Sequence, residues 1–148
     1  MHEAENDTAL ITKIGLCDYT IQDASLIGSG WTKIFEDDFN GDFSQWHIWQ
    51  GGSYNDELQL YQAQNLELSK SELLIRAKKE TVVGFVRPDN PELSSFSYTS
   101  GRIESKKLFS ASKKTPKVRI MARIKMSAGY GMCPPFGVMV KNGPLKEK

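Results

Sequence analysis

The run Lys117-Val118-Arg119-Ile120-Met121-Ala122-Arg123-Ile124-Lys125-Met126 constrains the fold more than any other stretch of this chain. Its even positions are all apolar, and its odd positions are basic except Met121. Ten residues at period 2 suit a strand with one buried face, because successive side chains of extended backbone point to opposite sides. A helix would spread the same cations around its whole circumference. The sequence therefore predicts a strand over Lys117–Met126.

Shorter runs of the same kind lie upstream. Trp31–Phe35 reads as a strand closed by Asp37-Asp38 and the Asn40-Gly41 turn. Glu57-Leu58-Gln59-Leu60-Tyr61 alternates, which predicts Leu58 and Leu60 on one face. Leu73-Leu74-Ile75-Arg76-Ala77 follows a polar turn at Ser69-Lys70-Ser71. Arg87-Pro88-Asp89-Asn90-Pro91 reads as a loop, since each proline removes a ladder donor. Residues 1–30 read as a polar leader with one short strand around Ala9–Leu16, ending in Ile27-Gly28-Ser29-Gly30. No stretch sustains a helical period and no internal repeat is present. Many short strands at regular spacing predict an all-β chain, an antiparallel sandwich.

Length and charge narrow the function classes. A chain of 148 residues buries enough surface for one domain. No apolar run approaches the roughly 18 residues of a membrane helix, so no membrane partner is expected. The first residues are acidic and Ala9–Leu16 is broken by Thr12 and Lys13, unlike a secretory leader. Net charge is +1, but residues 1–69 carry two Lys/Arg against twelve carboxylates, and residues 70–148 carry seventeen against six. A basic half suits nucleic acid. Here no RNP, zinc-finger or helix-turn-helix pattern accompanies it and the cations are spread over several strands, so solvated strand faces and no nucleic-acid partner are expected. Cys17 and Cys133 could form one bridge, though two free thiols are expected; they make no disulfide framework, and with His2 and His47 isolated there is no Cys/His ligand cluster.

Several local patterns occur in one order: Trp31-x-x-x-Phe35-x-x-Asp38-Phe39-Asn40-Gly41, Trp46, Asn55-Asp56-Glu57-Leu58-Gln59-x-Tyr61 and Asn65. Leu73-x-Ile75, Tyr98-Thr99-Ser100-Gly101-Arg102-Ile103 and Gly131-Met132-Cys133-Pro134-Pro135-Phe136 follow. Together they resemble the N-terminal part of glycoside hydrolase family 16, nearest its laminarinase-like β-glucanases, over about residues 31–139. The resemblance implies a jelly-roll sandwich of the concanavalin A-like lectin/glucanase type whose concave sheet holds a β-glucan or related polysaccharide. On this reading residues 31–140 are part of such a domain, residues 1–30 a leader, and residues 141–148 an unrelated tail. The family is usually secreted, and it needs no cofactor for its chemistry.

Family members are retaining glycosidases with a Glu-x-Asp-x-x-Glu strand shortly after the stretch matched by Phe136. Their two carboxyls stand about 5–5.5 Å apart, so that one attacks C1 while the other protonates the leaving oxygen. This chain contains no such motif; the nearest run, Glu36-Asp37-Asp38-Phe39-Asn40-Gly41, ends in glycine. The family's Trp-Pro-Ala-Phe-Trp is Cys133-Pro134-Pro135-Phe136-Gly137 here, which removes two indoles from one strand face. The expectation is a truncated relative that does not hydrolyse glycosides.

Asn55 and Arg102 match positions that line the sugar cleft in the family, and Trp49 offers a flat ring to the apolar face of a pyranose. The plainer alternatives are that Arg102 pairs with Glu104 and that Trp49 belongs to the core. Trp31 and Trp46 are expected in the core, and Glu57 as a structural bridge. Asp38 matches a position near which many members hold a structural calcium, against the alternative of a solvated Asp37-Asp38 turn. Three functions compete: an inactive family 16-like protein, a non-catalytic glucan-binding module, and a half-sandwich that self-associates through exposed sheet edges.

Overall fold

The computed structural model of the chain describes residues 23–132 and 135–138. They fall into two units, one ending at Lys107 and one beginning at Leu108. The first unit holds nearly all the regular structure and is almost entirely β after one helical turn, α1 (Asp23–Gly28).

Its longest elements are β5 (Lys78–Arg87) and β6 (Asn90–Ser100), an antiparallel hairpin. The segment Thr81–Val86 forms a strand because its β-branched and aromatic residues fit a pleated surface. Val82, Gly84 and Val86 are half-buried, while Thr81, Val83 and Phe85 are exposed. The predicted loop over Arg87–Pro91 contracts to a Pro88-Asp89 turn, with Arg87 paired to Asn90 and Pro91 inside β6. One missing donor is tolerated near the start of a strand.

β2 (Gln59–Tyr61) joins the other side of β6 in parallel, giving the order β2-β6-β5. This mixed sheet corrects the expectation of purely antiparallel pairing. β3 (Leu66–Ser69) and β4 (Glu72–Ile75) form a second hairpin. Its turn residues Lys70 and Ser71 have φ of 52° and 61°, the left-handed pair whose twist matches two-residue hairpins. β1 (Trp46–Ile48) pairs with β7 (Ile103–Ser105).

Leu60 and Tyr61 are the buried hydrophobic residues among those described. Leu58 is 72% exposed, so Leu58 and Leu60 do not share a buried face as the alternation predicted. The pairing to β6 begins only at Gln59, and Asp56, with φ of 54°, turns the chain just before it. Buried with the two hydrophobics are two polar side chains, Asn65 and Thr99, each 0% exposed. Asn65 Nδ2 donates to the Arg76 carbonyl at 2.6 Å and to Thr99 Oγ1 at 3.0 Å, and its Oδ1 accepts from Gln62 Nε2 at 2.8 Å. Thr99 Oγ1 donates to Glu80 at 2.5 Å. This knot ties the turn after β2 to both hairpins, and its full satisfaction is what makes polar burial tolerable.

Trp31–Phe35 belongs to no ladder. Trp31, Phe35 and Trp46 are half-buried rather than core. Phe35 meets Trp46 edge-on at 5.6 Å and Phe39 stacks on it at 5.8 Å. Packing by aromatic contact, without backbone pairing, satisfies this segment.

In the second unit the described residues contain no strand or helix, and all but the half-buried Phe109 are exposed. Lys117–Met126 is therefore not part of any ladder, against its strong period. Alternation says which face a strand would bury. A strand exists only where a neighbour stands about 4.7–4.9 Å away to take its hydrogen bonds. Cys17, Cys133, Pro134, the Ala9–Leu16 run and the tail 141–148 lie outside the described residues. No helix among the described residues is long and apolar enough to cross a membrane.

Candidate functional site

The site is organised by two glycines. Gly51 exchanges backbone hydrogen bonds with Tyr61 in both directions at 3.0 Å, and Gly52 N–H donates to the Phe85 carbonyl at 2.9 Å. Residues 51 and 52 thus contact both β2 and β5 through their backbones. Gly51 has φ of +111°, and a Cβ on Gly52 would stand 2.3 Å from the Val86 carbonyl oxygen. Only glycine permits this approach.

The seam fixes Trp49. Its backbone N–H donates to the Arg102 carbonyl at 3.0 Å, and its indole N–H to the Gly52 carbonyl at 3.1 Å. The Arg102 guanidinium lies over the Trp49 ring at 4.0 Å and 5.8 Å from the centroid of Tyr61. A cation over an indole face is worth roughly 0.5–2 kcal/mol, more as water is excluded. Arg102 Nε and Nη2 both donate to Glu104 Oε1, at 3.1 and 2.7 Å. The plainer reading of Arg102, a pair with Glu104, is thus present together with the Trp49 contact.

Tyr54 meets Trp49 edge-on at 6.0 Å, and Arg87 stands 5.4 Å over the Tyr54 ring. Asn55 is exposed in the same turn as Tyr54. Glu57 accepts from the Tyr61 hydroxyl at 2.6 Å and from Gln59 Nε2 at 2.7 Å, the bridging role expected of it. Burial, then the hydrogen bond to Glu57, pushes the Tyr61 phenol up to about 12. The Tyr54 phenol is also raised, mainly by its hydrogen bond to Asp89. The Trp49 and Tyr54 rings and two guanidinium groups thus gather beside the buried Tyr61, while the nearby carboxylates Glu57 and Glu104 are held by neighbours. Such a surface can stack on and hydrogen-bond to a polyol.

Asp38 lies elsewhere. Asn40 donates to it twice, from its backbone N–H at 3.1 Å and its side-chain amide at 2.7 Å, which lowers the Asp38 pKa. Asp37 accepts from Phe39 N–H at 2.8 Å and Trp46 Nε1 at 2.7 Å. The backbone bonds from Phe39 and Asn40 are turn bonds of the Asx type, and the Trp46 bond ties that turn to β1. The acids Glu36, Asp37, Asp38 and Asp42 line a cleft of about 310 Å³ that does not include Trp49 or Arg102. Among the described residues no three His, Cys, Asp or Glu side chains are grouped to hold a metal.

The sequence named Trp49, Asn55 and Arg102, and the structure brings Trp49 and Arg102 into contact. It missed Tyr54, Tyr61, Arg87 and the two glycines as parts of one surface. The Gly51-Gly52 pair was the available signal, since adjacent glycines in β-rich sequence mark close backbone approach. Nothing local marks Arg87, which arrives from the far end of β5. A scan of known protein families and searches of curated proteins and of solved structures return no match to this chain.

Proposed function

We propose that this chain is a family 16-like protein of β-1,3-glucan metabolism that binds the glycan and does not cleave it. The observation that carries the reading is the Arg102 guanidinium 4.0 Å over Trp49, with Tyr54 at the ring edge and Asn55 in the adjoining turn. Flat rings and planar donors complement the apolar face and equatorial hydroxyls of a pyranose. The all-β architecture is compatible with a jelly-roll of the lectin/glucanase type.

Calorimetric titration with laminarin tests the reading. Saturable binding is expected, weakened about tenfold or more by Trp49→Ala and by Arg102→Ala, a loss of about 1.4 kcal/mol each. No binding at millimolar sugar would remove the proposal. Reducing sugar released by the purified chain would remove its non-catalytic half.

A further inference from the structure

Asn40 and Gly41 are both exposed in the turn that follows Asp37-Asp38. An asparagine followed by glycine carries its own modification chemistry, because the next backbone nitrogen can reach the side-chain carbonyl and close a succinimide ring. A folded chain opposes that step by engaging the nitrogen, by crowding it, or by fixing the backbone around it. None of these holds at Gly41. Among the described residues its N–H donates no hydrogen bond. A Cβ built there would meet nothing within 4 Å. Without a side chain, it also has the conformational freedom that ring closure needs.

No other described asparagine meets those conditions. Asn65 is 0% exposed and its amide is held by Arg76, Thr99 and Gln62. Asn90 precedes Pro91, which has no N–H to lose. Asn55 precedes Asp56, whose side chain restricts the attacking backbone. The Asn40 amide, by contrast, is oriented for attack. Its Nδ2 donates to Asp38 Oδ2 at 2.7 Å, and its Oδ1 accepts from the Ser71 hydroxyl. A donor on Oδ1 stabilises the negative charge that forms on that oxygen when Cγ is attacked.

We propose that Asn40 is a self-modification site, at which Gly41 converts it to an acid with Ser71 as the oxyanion donor. The Gly41 nitrogen loses its proton to hydroxide and bonds to Asn40 Cγ. The Cγ–Nδ2 bond then breaks, and Nδ2 takes a proton from water and leaves as ammonia. Water next opens the succinimide. Addition at Cγ gives aspartate at position 40, and addition at the backbone carbonyl gives isoaspartate, in which the chain runs through Cγ. One water is consumed and one ammonia released, with no change of oxidation state.

Either product carries a carboxylate in place of the amide. The Nδ2 bond that helps to lower the Asp38 pKa is lost, and two like charges then share the turn. Gly41 lines the cleft with Glu36, Asp37, Asp38 and Asp42, so the new charge joins an acidic surface. Phe39, the preceding residue, stacks on Trp46 at 5.8 Å, so a shifted turn changes tryptophan emission.

Peptide mapping by mass spectrometry tests this on the full chain, incubated at mildly alkaline pH in oxygen-labelled water. Label is expected at position 40, in both acid products. The pair Asn142-Gly143 falls in a different tryptic peptide and is scored separately. Gly41→Ala, whose methyl has room, should slow conversion about tenfold or more. Ser71→Gly removes the hydroxyl and suits the φ of 61° at that position, so the hairpin turn is kept. It should slow conversion about threefold or more, less than a buried oxyanion donor is worth because this turn is wet. The folded chain should convert at least as fast as the chain unfolded in urea, which lacks the Ser71 contact. A folded-state rate below the unfolded one would overturn the proposal, as would rates indifferent to Gly41→Ala or to Ser71→Gly.

Discussion

Lys78–Arg87 and Lys117–Met126 are both ten residues long, both rich in β-branched and apolar side chains, and both carry several cations. The first is half of the longest hairpin among the described residues; the second is in no ladder and exposed along its length. The difference lies in what adjoins them. Pro88-Asp89 returns the chain at once into Asn90–Ser100, so β5 acquires its partner at the smallest loop-closure cost. Around Lys117–Met126, the residues 110–116 and 127–132 are polar, glycine-containing or proline-containing and supply no second apolar run. A side-chain pattern prepares a strand; a neighbouring backbone makes one.

Substitutions that touch the partnered region should therefore cost far more than equivalent changes in the unpartnered one. The largest effect is expected from Gly52→Ala, whose methyl has no room beside the Val86 carbonyl oxygen. A loss of about 3 kcal/mol or more is expected in urea denaturation followed by tryptophan fluorescence. A loss under about 1 kcal/mol would mean that the seam between β2 and β5 is soft. Asn65→Ala comes next. It leaves the Arg76 carbonyl without its side-chain donor and removes one bond each from Thr99 Oγ1 and Gln62 Nε2, which keep Glu80, for a loss of about 2 kcal/mol in the same assay.

A third test uses pH. The Tyr61 phenol ionises near 12 in the folded chain and near 10 when unfolded, so the folded state holds the proton more tightly. Its contribution to stability is complete below about pH 10 and is lost as pH rises toward about 12. Thermal melts across that window should fall more steeply for the native chain than for Tyr61→Phe. Equal slopes would place the alkaline transition elsewhere. The smallest effect is expected from Ile124→Asp, which should leave the stability of the first unit within about 0.5 kcal/mol. A larger loss would show that Lys117–Met126 already supports the partnered region.

The candidate site divides along the same line. Asn55 and Arg102 were singled out because they resemble positions of a family pattern and Trp49 because a flat ring suits a sugar face, and the pairing of Arg102 with Glu104 was open to view from their two-residue spacing. The partners that shape the surface, Tyr54, Tyr61 and Arg87, come from separate segments and carry no local mark. Asn65 was visible as a pattern residue, but its role was not. A buried asparagine with all its hydrogen bonds made and a solvated one look alike in sequence, and only the placement of Arg76, Thr99 and Gln62 separates them.

The sequence by itself determined the all-β class, the polar turn at Lys70-Ser71 and the acidic-then-basic division of charge. Each of these is a property of neighbouring residues, set by side-chain periodicity, turn chemistry and composition. The tertiary structure decided which alternating runs became strands, that β2 lies parallel to β6, and that Asn65 and Thr99 are buried together beside Leu60 and Tyr61. Those outcomes depend on hydrogen bonds and contacts between residues far apart in the chain. Leu60 and Thr99 stand opposite each other although 38 residues lie between them in the chain, and no local pattern encodes which partner a strand will meet.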